Sequence, residues 1–454
     1  MTSPKFQLCV VCATLVAAAS LPALADSHTR IVRLSYTGGG VAVSRAGSDS
    51  YGRAMVNLPI AEGMKIKTGD DGKAEVEFEN GSTLRIVPQS AVEFRELSLR
   101  DSGVKVSTVG FSKGTAYVNF AGTKDDEFTL EFGGQKIALS QAARLRIDLN
   151  DRDSSIAVFK GQVEVKGSSG VVDVKKNQTV RFDAQNPDQS KLAKNVQEEA
   201  WDAWDNQQND YHERYTAKAS TGVSPYPYGS ADLAYYGNFF NYPGYGMMWS
   251  PFFTGVGWDP FMDGAWMSYG GGGYGWVSAY PWGWTPYHSG TWVFLPGRGW
   301  AWQPGGAWTS VYAQPRVLNA PAGFVAPRAP TSGTSTVLVS RGPASTFSGG
   351  KLTLRNNSAG LGVPRGEINH LSKVSEKVET HGAVNQRVQT AAPPRMASSP
   401  TAASPGARPA SGGRTGAGSR ESSVSHSPMS SGGGGGHSAG MAPSAPAPAS
   451  APHR

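Results

Sequence analysis

Few residues in this chain have the types and the spacing that catalysis requires. The run Gly110-Phe111-Ser112-Lys113-Gly114 has the G-x-S-x-G spacing of a nucleophile elbow. That motif activates a serine only where a strand turns into a helix and a histidine lies close by. Here the flanking sequence predicts strands, and His28 is the only histidine before His212. The sequence therefore predicts no catalytic residue and no enzyme.

Metal binding is not predicted either. Asp148, Asn150, Asp151 and Asp153 cluster between two predicted strands, but they lack the glycine and the closing glutamate of an EF-hand loop. A solvated turn is the preferred interpretation. Both cysteines, Cys9 and Cys12, precede residue 25. We therefore expect no metal, no cofactor and, after removal of residues 1–25, no disulfide.

Aromatic side chains are the strongest candidates for ligand contact. Ten of the twelve tryptophans lie between Trp249 and Trp308, interleaved with glycine, tyrosine and proline. A W-x-P-[FY]-x-x-G-x-W unit occurs at 258–266 and again at 284–292, and 297–308 reads as a shortened third copy. A repeated aromatic position indicates a repeated structural role, because each unit must bury its rings against the next.

Two interpretations of these repeats stay open. The aromatics can form the core of a module that has few aliphatic residues, or they can stack on the sugar rings of peptidoglycan or exported polysaccharide. We expect the four repeated tryptophans to be mainly core: Trp258, Trp266, Trp284 and Trp292. The candidate ligand contacts are Tyr245, Tyr274 and Tyr287. Nucleic acid is excluded as a partner because 226–308 contains a single Lys or Arg, Arg298.

The elements that position these residues begin with the stretch 58–90. Residues 74–79 alternate without a break, which places Ala74, Val76 and Phe78 on one face of a strand. Glu75, Glu77 and Glu79 share the other face, where we expect water to solvate them. Asn80-Gly81 follows at once and predicts a tight hairpin turn.

Similar alternating runs recur from Ile31 to about Phe182, which predicts an all-β domain. The stretch 58–90 resembles the FecR-like domain of bacterial envelope proteins through Leu58, Glu62-Gly63, Ile66, Thr68-Gly69, Gly72-Lys73-Ala74, Gly81-Ser82, Leu84 and Pro88. A weaker match continues to 158–165. The resemblance implies short stacked strands in a β-roll or solenoid-like fold, and a signalling context rather than a chemistry. Gln141-Ala142-Ala143 departs from the Arg-Gly-Thr that family members often carry.

Shifts in composition divide the chain into five parts. These are a signal peptide at 1–25, a FecR-like β domain at 26–190, a helical spacer at 191–218, an aromatic repeat module at 226–308 and a mostly disordered basic tail at 309–454, with a short helix near 366–380. The aromatic module resembles a repeat region of unassigned role that accompanies FecR-like domains in some envelope proteins. The helix at 191–218 is expected to pack on a neighbouring domain or to act as a spacer.

The N-terminus predicts export. Lys5, a short apolar run and Ala23-Leu24-Ala25 are typical of a secretory signal cleaved between Ala25 and Asp26. The mature chain is then periplasmic or secreted and has no second apolar run long enough to span a membrane. Fourteen Lys or Arg against four Asp or Glu follow Thr309, so the tail is either solubilising or attracted to an anionic envelope surface.

The sequence thus predicts a non-enzymatic exported envelope protein, a FecR-like interaction, sensing or scaffold module that binds another envelope protein. The alternative is a glycan-binding protein that uses its Trp/Tyr repeats. Known FecR-type regulators relay a signal from an outer-membrane transporter to a sigma factor. This chain resembles their sensing half alone, so direct control of a sigma factor is not expected.

Overall fold

The computed structural model of the chain describes residues 30–123, 126–168, 170–186, 189–218, 223–224, 226–269, 273–308, 315–331 and 336–388. All of them belong to one unit, Met1–Ala397, whereas the second unit, Ser398–Arg454, lies outside the described residues. The predicted signal peptide and the cleavage site at Ala25 and Asp26 lie outside them too. No helix in the described part of the chain is long and apolar enough to cross a membrane.

Two sheets share one long strand in the N-terminal part of this unit. The first sheet contains β1 (Val32–Gly38), β4 (Pro59–Ile60), β6 (Lys73–Glu77), β7 (Thr83–Ile86), β12 (Ala143–Leu149), β13 (Asp153–Lys160), β16 (Gln178–Asp183) and β17 (Ser190–Ala193). The second contains β2 (Val41–Ser44), β3 (Tyr51–Arg53), β5 (Lys65–Thr68), β8 (Ala91–Leu99), β10 (Asp126–Phe132), β11 (Gln135–Leu139), β14 (Gln162–Gly167) and β15 (Gly170–Lys175). The shared strand is β9 (Lys105–Phe120).

β9 bends from one sheet into the other. Its first half pairs with β8 and β10 in the second sheet, and its second half pairs with β7 and β12 in the first sheet. Gly114 lies at the change of sheet with a φ of +89°. A Cβ at this position would lie 2.6 Å from the Cα of Ser90, so the crossing requires glycine both for its backbone conformation and for space.

The core of this part lies between the two sheets. Val76 and Phe78 are buried there, as the alternation predicts. The Phe78 ring meets Phe128 of the second sheet at 4.8 Å between centroids and Phe94 at 6.5 Å. The short strands stacked around this apolar layer confirm the predicted all-β FecR-like fold.

The prediction that water solvates the other face of β6 is wrong. Glu75, Glu77 and Glu79 are all buried. The alternation correctly separated the two faces of the strand, but a second layer of the same chain covers the acidic face. Glu79 is held by Arg30, whose Nε and Nη2 lie 2.6 and 2.7 Å from its two carboxylate oxygens.

Replacing Phe78 by leucine is expected to lower the free energy of unfolding by about 1–2 kcal/mol, because it removes buried ring atoms that bridge the two sheets. Chemical denaturation of the full chain would measure this. Leu99→Ala, at an exposed position on β8, serves as the control and should change the value by about 0.5 kcal/mol or less. Equal effects of the two substitutions would mean that the Phe78 ring is not a core contact.

The helices that follow pack on the first sheet and on each other. α1 (Asp202–Thr216) lies within the predicted spacer, and α2 (Ser230–Tyr236) follows it. Trp204, Tyr211 and Tyr215 of α1 are buried, so the helix is a packed layer rather than a spacer.

Besides α2, the described residues of the aromatic module contain three hairpins and one short helix. The hairpins are β18 (Gly237–Tyr242) with β19 (Gly246–Pro251), β20 (Asp263–Tyr269) with β21 (Gly273–Ser278), and β22 (Thr291–Leu295) with β23 (Gly299–Gln303). α3 (Thr285–His288) precedes the third hairpin. Trp258, Trp266, Trp284 and Trp292 are all buried, which confirms their expected place in the core.

Each hairpin places a glycine against a tryptophan twelve positions later. The pairs are Gly237 with Trp249, Gly264 with Trp276, and Gly290 with Trp302. A Cβ on any of these glycines would collide with the indole ring of its partner, so glycine makes room for each ring. The hairpin with this glycine–tryptophan contact therefore occurs three times among the described residues, although the W-x-P-[FY]-x-x-G-x-W unit occurs twice.

The predicted boundary at residue 308 is wrong for the described part of the tail. Residues 315–331 and 336–388 contain β24 (Arg316–Leu318), β25 (Val337–Ser340), β26 (Thr346–Ser348), β27 (Lys351–Arg355), α4 (Leu371–His381) and β28 (Ala383–Arg387). Leu371 and Val378 of α4 are buried in the same core as the tryptophans. Nine of the fourteen Lys and Arg residues after Thr309 lie in this folded segment, so the basic charge does not belong to a tail alone. The remainder, 389–454, lies outside the described residues.

Candidate functional site

The outer face of the first sheet, opposite its core face, carries a continuous set of polar side chains. Strand register brings together Arg33 and Ser35 of β1, Glu75 and Glu77 of β6, Arg85 of β7, Tyr117 and Asn119 of β9, and Arg144 and Arg146 of β12. We call this set the charged face. It is the polar half of five alternating strands, and directly paired residues in antiparallel strands point to the same side.

α1 covers one half of the charged face with two aspartates. Asp202 accepts hydrogen bonds from Arg146 Nη1 and from the Tyr117 hydroxyl, both at 2.8 Å. Asp205 accepts one from Arg85 Nη1 at 2.6 Å and one from Arg144 Nε at 2.9 Å. Residues three apart lie on the same side of a helix, so both aspartates face the sheet.

Glu75 is the centre of the other half. Its carboxylate lies 2.7 Å from Arg85 Nε, 2.6 Å from Arg365 Nη1 and 2.9 Å from His212 Nε2. Its side chain is 0% exposed. Burial by itself would raise the pKa of Glu75, but the interactions with His212, Arg365 and Arg85 outweigh burial and hold that pKa well below its usual range.

Arg33 joins two further carboxylates next to Glu75. Its Nη1 lies 3.1 Å from Glu77, and its Nη2 lies 2.6 Å from Asp232 of α2. Burial raises the pKa of Glu77 despite the opposing effects of His212 and Arg33. Asp232 is also buried, but Arg365 and Arg33 outweigh that burial, so its pKa is lowered. The neighbouring carboxylates of Glu77 and Asp232 thus differ in how well their negative charge is compensated.

The charged face and the groups that cover it are joined by ion pairs, which we call the ionic interface; the partly exposed Asp148, which also pairs with Arg146, is not counted in it. Its five arginines are Arg33, Arg85, Arg144, Arg146 and Arg365, and its five carboxylates are Glu75, Glu77, Asp202, Asp205 and Asp232. His212 is the additional titratable group. Removing an arginine of this set leaves buried carboxylates without compensation, which destabilises a fold strongly. The interface therefore fixes the first sheet to α1, α2 and the segment around Arg365.

Glu75→Gln and Glu77→Gln form a matched pair of tests of this interface. Glu75→Gln is expected to lower the free energy of unfolding at neutral pH by about 1.5–3 kcal/mol, because it removes the negative charge that Arg85 and Arg365 share. Glu77→Gln should have a much smaller effect or stabilise the chain, because its ionised form is disfavoured by burial. Thermal unfolding of both variants at pH 7 would measure the difference. A larger loss for Glu77→Gln would contradict this assignment.

The pH dependence of the two variants should have opposite signs. The folded pKa of Glu75 is lowered, so the stability it contributes is present above the unfolded value near 4.3 and is lost as pH falls through the folded pKa. The folded pKa of Glu77 is raised, so its ionisation above the unfolded value reduces stability. Glu75→Gln should therefore flatten the loss of stability in acid, whereas Glu77→Gln should make stability rise more between acid and neutral pH.

Backbone carbonyls of the aromatic module accept hydrogen bonds from Arg33 and Asn57 in the β part of the chain. Arg33 Nη2 donates to the carbonyl of Pro281 at 2.6 Å. Asn57 Nδ2 donates to the carbonyls of Ser278 and Tyr280 at 3.0 and 2.6 Å. The loop 278–281 is therefore anchored on the β part of the chain by directed hydrogen bonds as well as by packing.

The three tyrosines predicted to contact a ligand do not form one site. Tyr245 is partly exposed at the turn of the first hairpin, and its hydroxyl accepts a hydrogen bond from Asn319 Nδ2 at 2.6 Å. Tyr274 is also partly exposed, on β21 in a different sheet. Tyr287 is only 3% exposed, and its hydroxyl donates to the Pro260 carbonyl in the core. That position corrects its assignment as a ligand contact.

The motifs with catalytic or metal-binding spacing have structural roles. Ser112 lies within β9, not at a strand-to-helix turn, and its hydroxyl donates to the Ala91 carbonyl at 3.3 Å. Asp148 pairs with Arg146 at 3.0 Å, and Asn150 donates to Asp153 at 2.9 Å within a turn. Among the described residues, no group of three or more His, Cys, Asp or Glu side chains is placed to hold a metal ion.

The ionic interface contains residues that sequence reasoning missed. Asp232, His212 and Arg365 were not singled out, because they lie far along the chain from the strands they meet. A signal was present in the strands themselves. Arg85, Arg144 and Arg146 occupy the same alternation phase as Glu75, and mixed charges on one face indicate a specific partner layer more than a solvated surface.

Two family models match different parts of the chain. Residues 64–164 match the family described as FecR protein, which confirms the FecR-like resemblance for that segment. Residues 230–331 match a family of unknown function, DUF6600. No curated protein sequence matches the chain.

Two crystal structures of a provisionally assigned anti-sigma factor from Parabacteroides distasonis ATCC 8503 are similar to part of the chain at 14% identity. The first match covers 29% of this chain and 59% of that chain with a TM-score of 0.25, and the second covers 30% and 63% with a TM-score of 0.26. The chain thus spans about three fifths of the length of these two structures.

Proposed function

We propose that this chain, which carries a FecR-like domain at residues 64–164, is a non-enzymatic protein-interaction module of the bacterial cell envelope with a sensing or signalling role. In this proposal the mature chain begins near Asp26, is periplasmic or secreted, and binds another envelope protein. The FecR-like resemblance supports the signalling context, and the predicted signal peptide supports the compartment.

One observation carries the proposal. The side chains best suited to acid–base chemistry, among them Glu75, Asp205 and Asp232, are buried in ion pairs between layers of the protein. They hold the layers together and do not line a cleft that a substrate could enter. Among the described residues, the outer face of the second sheet and some strand edges are exposed. Such surfaces are suited to protein contacts.

Affinity capture of the tagged full chain from a cell-envelope fraction would test the proposal. The expected result is one envelope protein recovered at a constant ratio to the chain, and N-terminal sequencing that begins at or near Asp26. The heat-denatured chain is the control and should recover none of that protein. Recovery of no protein, or an intact Met1 on the membrane-embedded chain, would contradict the proposal.

Glycan binding is the second candidate, and the partial exposure of Tyr245 and Tyr274 favours it. Each ring offers an aromatic surface of the kind on which sugars stack. Retention of the full chain on purified peptidoglycan should then fall in Tyr245→Ala and Tyr274→Ala. It should persist in Tyr245→Phe and Tyr274→Phe, which keep the rings. Equal retention of all four variants would remove this candidate.

A further inference from the structure

The two edge strands of the first sheet, β4 and β17, are not covered to the same degree. At one end the short edge strand β4 is buried. At the other end the outermost strands are β17 in the first sheet and β15 in the second, and β15 lies against β13 and β16. Within the described residues each of these two strands pairs with one neighbour only. Each therefore presents a row of backbone N–H and C=O groups to which no further strand is added.

The apolar layer between the sheets reaches solvent at this end. Leu192 of β17 lies opposite Val180, which is fully buried, so both side chains point into the layer between the sheets. Leu192 is nevertheless 48% exposed. Val172 of β15 lies opposite buried Val165 and is only partly buried itself. An inward-facing leucine that is half exposed is a core position that the described residues leave uncovered.

Positive charge flanks this position. Lys191 and Lys194 stand on either side of the Leu192-Ala193 pair and are exposed. Arg181 lies directly opposite Lys191, but its charge is compensated by Asp153 at 3.2 Å, so the two lysines supply the positive charge. Pairing of β17 with a second copy of the chain would bring lysines against lysines, which destabilises a strand pair. An extended segment with acidic residues at the flanking positions would instead complement them.

We propose that β17 is the docking edge for an extended strand of another envelope protein, with an apolar side chain packed on Leu192 and acidic residues near Lys191 and Lys194. Backbone hydrogen bonds to the free edge of β17 would supply affinity, and the exposed core position would set the register of the added strand. This inference rests on the proposed function and adds to it the surface used and the chemistry of the partner.

Site-specific photo-crosslinking in the full chain would test the inference. A photoreactive residue replaces Lys191 in one variant and Leu318 in the other, because Leu318 lies on β24, beside the aromatic module, and is about as exposed as Leu192, at 51%. The expected result is a crosslink from position 191 to a segment of an envelope protein that contains acidic residues, and none from position 318. With the purified partner, amide exchange at 190–193 should slow. Leu192→Gln should weaken binding about tenfold or more, whereas Leu318→Gln should not.

The failures of the two proposals are distinguishable. A crosslink from position 191 to a second copy of the chain would overturn the inference. So would a captured partner that leaves amide exchange at 190–193 unchanged and binds Leu192→Gln as tightly as the original chain. In that second case the proposed function survives, because an envelope protein is bound at another surface. Recovery of no envelope protein by crosslinking or by affinity capture overturns both.

Discussion

Arg365→Ala is expected to lower the free energy of unfolding by about 3–5 kcal/mol, the range seen when one partner of a buried charge set is removed. Arg365 Nη1 lies 2.6 Å from Glu75, and its Nε and Nη2 both lie 3.2 Å from Asp232. Its guanidinium also donates to the Ser35 carbonyl at 2.9 Å. Alanine would leave two buried carboxylates with fewer partners and would remove the link between the first sheet and the segment that contains residue 365.

Arg355→Ala is the matched control, because Arg355 lies ten residues earlier in the same segment and is exposed. Denaturant unfolding of the full chain should show a change of about 0.5 kcal/mol or less for this variant. If Arg365→Ala behaved like the control, the ionic interface would not be what holds the C-terminal segment to the sheet. Arg365→Lys should recover only part of the loss, because lysine cannot place three donors as a planar guanidinium does.

Trp282→Ala is expected to cost about 3–5 kcal/mol, because it removes a fully buried ring from the middle of the aromatic core. The ring stacks on Tyr280 at 4.9 Å with an interplanar angle of 4°, and Trp249 lies at the same distance on another side. Its Nε1 donates to the Ala359 carbonyl at 2.7 Å. The substitution would therefore leave a cavity and a carbonyl that has lost its indole donor.

Trp201→Ala provides the comparison for Trp282→Ala, since Trp201 is a partly exposed tryptophan at the start of α1. Trp201→Ala should lower the stability of the full chain clearly less than Trp282→Ala does, as measured by thermal unfolding. A second measurement, near-UV circular dichroism, should change strongly for Trp282→Ala because several aromatic neighbours lose a fixed partner. Equal stability losses for the two variants would show that the ring at 282 is not central to this core.

The sequence predicted the faces of strands well and their surroundings poorly. Alternation over 74–79 correctly separated the residues that face the inter-sheet core from those that face away. It could not show that α1 and Arg365 cover the second face, because burial of a polar face depends on partners more than a hundred residues away. The mixed charges on that face indicate a covering layer, but neither local pattern nor turn chemistry identifies the segments that form it.

The same limit explains the error in the tail. Leu352 and Leu354 of β27 and Val378 of α4 are buried, yet each is surrounded in sequence by polar and small residues. The segment completes the aromatic core, so its apolar positions need not form a long periodic run of their own. In the repeats, by contrast, the spacing of the tryptophans was sufficient to predict which residues form the core. Tryptophans that recur in each unit indicated the core directly, and only the assignment of Tyr287 failed.

The separation along the chain of the groups in the ionic interface constrains when the protein can finish folding. Arg33 and Glu75 are made early, Asp232 follows, and Arg365 arrives last, 290 positions after the carboxylate it pairs with. Contacts this distant in sequence form slowly, because a long loop must close before they contribute. Until residue 365 has been synthesised, Glu75 and Asp232 lack Arg365 as a partner. Completion of the native state therefore waits until nearly the whole described chain has been made, and a nascent chain halted after residue 331 would carry the five carboxylates of the ionic interface with four of its five arginines.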